Sequence, residues 1–124
     1  MNTYYVYYMV LNIRTGDTVR ITDEKIMKAE SMDALRKKLA KAVIDLSSKR
    51  YDYTACVSKV RGHSKSDNPM GGDVIRIYAD DGSIIAGWEP YGDKARDKGI
   101  YYEIDMKTGK LGKKKSWWNR WHPR

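Results

Sequence analysis

Apolar residues fill nearly every position from residue 4 to residue 13, so odd and even positions alike carry hydrophobic side chains. Successive side chains of a strand lie on opposite faces, and a strand that is apolar on both faces is typical of a sheet interior. Residues 14–17 follow and predict a short turn, because Gly16 tolerates the positive φ of tight hairpins.

An amphipathic helix of about four turns is predicted from Ser31 to near Ser48. Ser31 is a good N-cap, and the apolar residues that follow recur at intervals of three and four. These residues are Met32, Leu35, Leu39, Val43 and Leu46. The outer face is predicted to be mostly basic, with Arg36, Lys37, Lys38, Lys41, Lys49 and Arg50 against Asp33 and Asp45.

Short apolar runs between turn-forming residues predict the remaining strands. A return strand over 18–22, with Val19 and Ile21 facing the core, is expected to bulge at residues 23–24 and resume over 26–29. Further strands are predicted over 53–61, 74–79, 84–89 and 100–105, with a turn over 107–109. The order β-β-α-β-β-β-β predicts an α+β fold, in which one antiparallel sheet carries one amphipathic helix on one face. We expect one domain over 1–111 and a basic, tryptophan-rich tail over 112–124.

The charge of the 124-residue chain is concentrated in its last nineteen residues. Residues 106–124 contain seven of the 24 basic residues, none of the 16 acidic ones, and three of the four tryptophans. The formal net charge is +8, so residues 1–105, with 17 basic and 16 acidic groups, contribute only +1. The chain also has ten tyrosines and no phenylalanine, so its aromatic packing must use rings with a polar end.

Candidate catalytic and metal-binding groups are few and scattered. Cys56 is the one cysteine, and its place within a predicted strand is typical of a buried structural thiol. His63 and His122 show no metal-ligand spacing. The Asp80-Asp81-Gly82-Ser83 segment lies between two apolar runs, which is typical of a hairpin turn rather than a carboxylate pair. We therefore predict no enzyme activity, no metal site and no cofactor.

Binding of nucleic acid or of an anionic nucleoprotein is the function that the tail favours. Lysine and arginine neutralise phosphates, and tryptophan stacks on bases, so the tail combines the two groups that contact single strands and RNA. The basic helix face would add to the same surface if it lay on the same side. The candidate binding residues are Lys107, Lys110, Lys113, Lys114, Lys115, Trp117, Trp118, Arg120, Trp121 and Arg124 in the tail, and Arg36, Lys37, Lys38 and Lys41 on the helix.

Other interpretations of the same residues stay open. The three tail tryptophans can instead cover the sheet face left open by a single helix, and charged helix faces are often only solvated. Attachment to an anionic membrane surface is a further reading, although the segment is short and polar for it. The alternative function is a protein-directed inhibitor or adaptor of phage or mobile-element type, such as an anti-CRISPR-like protein, that docks through tryptophan and tyrosine.

The N-terminal segment lacks the basic region and cleavage site of a signal peptide, and no stretch of about 18 apolar residues occurs. We therefore expect a cytoplasmic protein with no membrane span. The pattern does not determine its oligomeric state.

Overall fold

An antiparallel sheet of eight strands, with one helix on one face, forms the part of the chain that the computed structural model describes: residues 1–62, 72–80, 83–90 and 100–116. The strands are β1 (Asn2–Asn12), β2 (Thr18–Ile21), β3 (Lys25–Ala29), β4 (Tyr51–Ser58), β5 (Asp73–Asp80), β6 (Ser83–Glu89), β7 (Ile100–Ile104) and β8 (Leu111–Ser116). The helix α1 (Met32–Leu46) lies between β3 and β4 in the chain. The predicted α+β class, with a single sheet and a single helix, is confirmed.

The strand order places β1 inside the sheet. β1 pairs with β4 on one side, and on the other side it pairs with β3 near its start and with β2 near its end. From β4 the sheet continues as β5, β6, β7 and β8, each antiparallel to the one before. The apolar character of both faces of β1 therefore predicted its interior position correctly. The two edges of the described sheet are formed by β2 with β3 and by β8.

The helix forms where its cap and its apolar spacing predict it. The Ser31 hydroxyl accepts a hydrogen bond from the Ala34 amide at 3.1 Å. Leu35, Leu39 and Val43 are fully buried against the sheet, and each such side chain contributes about 1.5 to 3 kcal/mol. The helix ends at Leu46, two residues before the predicted end. Among the described residues, no helix is long and apolar enough to cross a membrane.

The return strand after the first turn differs from its prediction. Val19 and Ile21 were expected in the core, but their side chains are 52% and 42% exposed. The reason is that both lie on the edge strand β2, and Ile21, which pairs with Met9, lies on the sheet face away from α1. At the predicted bulge the chain divides into two strands, and Thr22 occupies the gap by exchanging hydrogen bonds of 2.8 and 2.9 Å with the Tyr8 backbone.

The sheet continues beyond residue 111, where the tail was predicted to begin. Residues 111–116 form β8, which pairs with β7 from Ile104 opposite Leu111 to Ile100 opposite Ser116. The turn between the two strands is the predicted one: the Gly109 amide donates to the Asp105 carbonyl at 2.7 Å. Residues 117–124, the rest of the predicted tail, lie outside the described residues.

The sheet face opposite α1 is also buried, and it holds several of the chain's tyrosines. Tyr78 and Tyr101 stack in parallel with ring centres 3.9 Å apart. Gly87 lies beneath them on β6, between their two strands. The Tyr78 hydroxyl donates a hydrogen bond to the buried Glu89, whose carboxylate also lies 3.7 Å from the guanidinium of Arg76. The polar end of the Tyr78 ring is thus tied into a buried ionic cluster, a role that phenylalanine could not fill.

We expect Gly87→Ala to lower the free energy of unfolding by about 1 to 3 kcal/mol, as overpacking does in dense cores. A methyl group there would lie 2.4 Å from a Tyr78 ring carbon and 2.5 Å from one of Tyr101. Urea denaturation would measure the loss as a lower midpoint with an unchanged slope. The matched control is Gly112→Ala on β8, where the nearest atom is the Glu103 carbonyl oxygen at 3.3 Å. Equal losses for both variants would contradict this account of the tyrosine stack.

Ionisation of Tyr7 should destabilise the fold at alkaline pH. Burial, and to a smaller degree the adjacent Cys56 and Glu24, raise the pKa of Tyr7 well above its usual value. The stability that depends on neutral Tyr7 is therefore complete below the pKa of an unfolded tyrosine, about 10, and is lost as the pH rises towards the higher folded value. We expect Tyr7→Phe to flatten the decline in melting temperature above about pH 10. An unchanged decline in the variant would show that Tyr7 is not its source.

Candidate binding surface

Arg36 was predicted on the exposed face of the helix, but its side chain points inward and is buried. Its Nε donates to the Gly109 carbonyl at 3.0 Å, and a terminal guanidinium nitrogen pairs with Asp33 one turn earlier. The guanidinium carbon also lies 5.2 Å from the centre of the Trp88 ring on β6. A guanidinium is flat and carries five donors, so one side chain can satisfy all three contacts. Arg36 therefore joins the helix to the β7–β8 turn and is not available as an exposed binding residue.

Gly109 lets this turn approach the helix closely. Its φ is +78°, and a methyl group on its Cα would lie 1.8 Å from the Asp33 carbonyl oxygen and 3.0 Å from the Lys37 amide nitrogen. Any other residue would be strained in its backbone and would collide with the helix. The turn is thus seated on the first two turns of α1.

This seating brings the basic residues of the helix and of the β7–β8 hairpin to neighbouring positions. Lys37 is beside Gly109, and Lys107 and Lys110 flank Gly109 in the turn. Lys38 and Lys41 continue along the same helix, and all five side chains are exposed. The turn and the helix therefore bring these five lysines close to one another, and their role in binding stays a prediction.

The three lysines of β8 divide between the two sides of the sheet. Lys114 pairs with Tyr102, which packs on the helix side, so Lys114 also lies on that side. Lys115 pairs opposite Tyr101 on the other face, and its ammonium lies 3.1 Å from Glu103. Lys113 is exposed on the same strand. Six lysines therefore form what we call the helix-side basic surface: Lys37, Lys38, Lys41, Lys107, Lys110 and Lys114.

Two acidic groups beside this surface, Asp33 and Asp105, have partners of their own. Asp33 pairs with Arg36, and the Asp105 carboxylate accepts hydrogen bonds from the amides of Lys107 and Thr108 at 2.7 and 3.2 Å. Within the described part of the chain, none of the six lysines forms an ion pair. The surface therefore presents positive charge that the protein itself leaves largely uncompensated.

Five of the predicted binding residues cannot be assigned to this surface. Trp117, Trp118, Arg120, Trp121 and Arg124 lie outside the described residues, so the choice between an exposed binding segment and a cover for the sheet stays open. His63 and His122 lie outside them as well.

The remaining candidates for chemistry have structural positions. Cys56 is fully buried in β4, as predicted for a structural thiol. Asp80 pairs with Ser83 at the end of the β5–β6 hairpin, in agreement with the predicted turn. Among the described residues, no group of three or more histidine, cysteine or carboxylate side chains comes together as a metal site would require. The expected absence of enzyme activity and of a metal site stays a prediction.

One group of basic residues is not evident from the sequence, because its members are far apart in the chain. Arg14, in the first turn, lies beside Lys49 and Arg50, which follow the helix, and with Asn12 they line a hollow of about 310 Å³. Lys49 and Arg50 were predicted on the outer face of the helix, but the helix ends at Leu46, and the two residues lie just before β4. These residues lie at the opposite end of α1 from the β7–β8 turn.

We expect Arg36→Ala to lower the free energy of unfolding by about 2 to 3 kcal/mol, because buried charge-assisted hydrogen bonds are lost and Asp33 loses its partner. The matched control is Lys37→Ala, one residue along the same helix, whose exposed side chain should contribute less than about 0.5 kcal/mol. Urea denaturation monitored by circular dichroism measures the free energy of unfolding of both variants. Equal stabilities of the two variants would contradict the role of Arg36 as a link between helix and turn.

Comparisons with known proteins do not assign this chain to a family: no family model, no curated protein and no solved structure matches it. The fold class is established by the strand order and the single helix. Its function must be argued from the exposed residues and their charges.

Proposed function

We propose that the protein binds nucleic acid, free or within a nucleoprotein, through the helix-side basic surface. The observation that carries the proposal is the seating of the β7–β8 turn on α1, which gathers six lysines from two separate parts of the chain. Lysine ammonium groups neutralise phosphates as point charges and release counterions from the nucleic acid.

The cost of assembling this surface supports a binding role. Like charges on neighbouring elements repel each other and destabilise the folded chain. Among the described residues, carboxylates pair with Arg36 and Lys115 but with none of the six exposed lysines. A polyanion would supply the missing counter-charge, so binding would offset a repulsion that the free protein carries.

The residues that follow β8 in the sequence include three tryptophans, which are aromatic groups suited to stacking on bases. Trp117, Trp118 and Trp121 come directly after the strand that carries Lys114. Aromatic stacking is tolerant of base identity, so it suits recognition of single-stranded regions without sequence preference. A cytoplasmic location, where nucleic acid is the abundant polyanion, belongs to this proposal.

The alternative, an inhibitor or adaptor that docks on a protein, has its own observation at the other edge of the sheet. Val19, Ile21 and Ile26 on β2 and β3 are each more than two fifths exposed. Apolar side chains along an edge strand suit pairing with a partner protein. The absence of nucleic-acid binding in the test below would favour this alternative.

Binding should be measured with fluorescently labelled single-stranded DNA, single-stranded RNA and duplex DNA over a range of salt concentrations. With six phosphate contacts, the slope of log K against log salt would be about −4 for single strands and about −5 for duplex. We expect the triple variant Lys37→Gln/Lys110→Gln/Lys114→Gln to reduce the magnitude of the single-strand slope by about 2.

The matched control is Lys25→Gln/Lys28→Gln/Lys59→Gln. These lysines are exposed on β3 and just after β4. The two triple variants have the same net charge, so a difference in affinity between them reports the position of the lysines and not the total charge of the protein. Equal loss in both would refute the assignment of binding to the helix-side basic surface. A wild-type protein without affinity at moderate salt would refute nucleic-acid binding itself.

A further inference from the structure

Two adjoining hollows lie near the C-terminal end of α1, away from the helix-side basic surface. The first, of about 310 Å³, is lined by Asn12, Arg14, Lys49 and Arg50. The second, of about 280 Å³, is lined by Val10, Val19, Arg20, Tyr51 and Tyr53. Arg50 connects them, because its guanidinium carbon lies 5.3 Å from the centre of the Tyr51 ring. One hollow is therefore cationic and its neighbour aromatic.

The turn that carries Arg14 is held in one conformation by Asn12. The Asn12 side-chain oxygen accepts hydrogen bonds from the Arg14 amide at 2.9 Å and the Thr15 amide at 3.3 Å. The Gly16 amide donates to the Asn12 carbonyl at 2.7 Å, and the φ of +75° at Gly16 closes the turn. Side-chain acceptors of this kind fix tight turns, so the Arg14 backbone is set before any ligand arrives.

The segment that carries Lys49 and Arg50 is fixed in a similar way. The Ser48 hydroxyl accepts hydrogen bonds from the Arg50 amide at 3.2 Å and the Tyr51 amide at 3.1 Å. The Ile13 amide donates to the Arg50 carbonyl at 2.9 Å and so ties this segment to the turn of Arg14. Ordering a binding segment in advance lowers the entropic cost of binding.

The charge in the first hollow is uncompensated. Arg14, Lys49 and Arg50 are exposed, no carboxylate is among the described residues that line either hollow, and none of the three forms a described ion pair. Asp17 lies in the same turn but does not line the hollow. Two guanidinium groups and one ammonium match a phosphate group, because guanidinium donors can bind two phosphate oxygens at once.

The second hollow offers a flat, fixed aromatic wall. Tyr53 is half-buried, its ring meets the edge of Tyr8 at 6.1 Å between centres, and its hydroxyl accepts a hydrogen bond from Arg20 at 3.2 Å. Tyr51 is half-buried beside it, and Val10 and Val19 supply apolar contact. Such walls suit planar rings, which stack on tyrosine whatever their hydrogen-bonding pattern.

We propose that this groove is a second site, which binds a nucleoside phosphate with the phosphate on Arg14, Lys49 and Arg50 and the base against Tyr51 and Tyr53. The proposal stands apart from the helix-side basic surface, since it uses none of its lysines. A free nucleotide and the phosphorylated end of a strand present the same chemistry, and the experiment distinguishes these two sources.

The probes are AMP, adenosine and inorganic phosphate, titrated into the full-length protein by isothermal calorimetry. We expect saturable binding of AMP at least about tenfold tighter than that of phosphate or adenosine, because only AMP fills both hollows. AMP should also raise the melting temperature in proportion to its saturation, as any ligand of the folded state does. Equal affinities for AMP and phosphate, or no saturable AMP binding, would overturn the proposal.

Two variants separate the two parts of the groove. Arg14→Gln should weaken both AMP and phosphate about tenfold, whereas Tyr51→Leu should weaken AMP about tenfold and leave phosphate unchanged. The melting temperature of each variant without ligand confirms that it is folded. Lys28→Gln is the control, since Lys28 is an exposed lysine of β3 that belongs to neither basic site, and it should bind AMP like the wild type. If Lys28→Gln loses as much AMP affinity as Arg14→Gln, the site is not at this groove.

A short single-stranded oligonucleotide, with and without a 5′-phosphate, identifies the source of the ligand. If the 5′-phosphate strengthens binding and Arg14→Gln removes that gain, the groove holds the end of a strand. If AMP binds and the 5′-phosphate has no effect, the groove holds a free nucleotide. Both results support the site, and neither depends on whether the helix-side basic surface binds nucleic acid.

Discussion

The contact of Arg36 with the β7–β8 turn is the interaction on which the arrangement of this protein's charge depends. One guanidinium donates to the Gly109 carbonyl, pairs with Asp33 and lies over the Trp88 ring. It thereby fixes the start of the helix against the last hairpin, two elements that are about seventy residues apart in the chain. Burying a charge is tolerable here because its hydrogen bonds are satisfied within the contact. Without the Arg36 contact, nothing would hold the lysines of the helix beside those of the hairpin.

The two basic sites differ in their physical character. The helix-side basic surface consists of exposed ammonium groups on a helix and a hairpin, and such point charges suit a phosphate backbone whose position is not fixed. The groove around Arg14 and Arg50 is concave, held by backbone hydrogen bonds and flanked by tyrosine rings. In the functions proposed above, the first would bind long polyanions through counterion release, and the second would bind a defined small group through its geometry.

Much of the fold was predictable from local signals, because each signal corresponds to a local physical cause. Ser31 supplies a cap, Gly16 supplies a positive φ, and the two-faced apolar run of β1 requires an interior position. The errors concern residues whose surroundings are set by distant parts of the chain. Arg36 has the spacing of the buried helix face, but its charge indicated an exposed position, and the groups that accommodate it, Gly109 and Trp88, come from distant parts of the chain. Val19 and Ile21 alternate like core residues, but no described element covers the edge where they lie.

The candidate sites were less predictable than the fold for the same reason. The composition of the sequence reveals that the C-terminal segment is basic. It does not reveal that residues 111–116 form a strand, because that strand depends on pairing with β7. The groove was not predictable, since Arg14 and Lys49 meet only when β1 and β4 pair side by side. The spacing of charged residues along the chain does not indicate that Arg14 and Lys49 come close together.

The lysines of β8 also affect how copies of this chain behave towards one another. β8 is an edge strand with one side unpaired among the described residues, and such edges invite pairing with another sheet. A row of like charges on the edge opposes the pairing of two copies, so the lysines that we propose bind a polyanion would also limit edge-to-edge association. A substitution that removes charge from this strand would therefore change self-association and the proposed binding together.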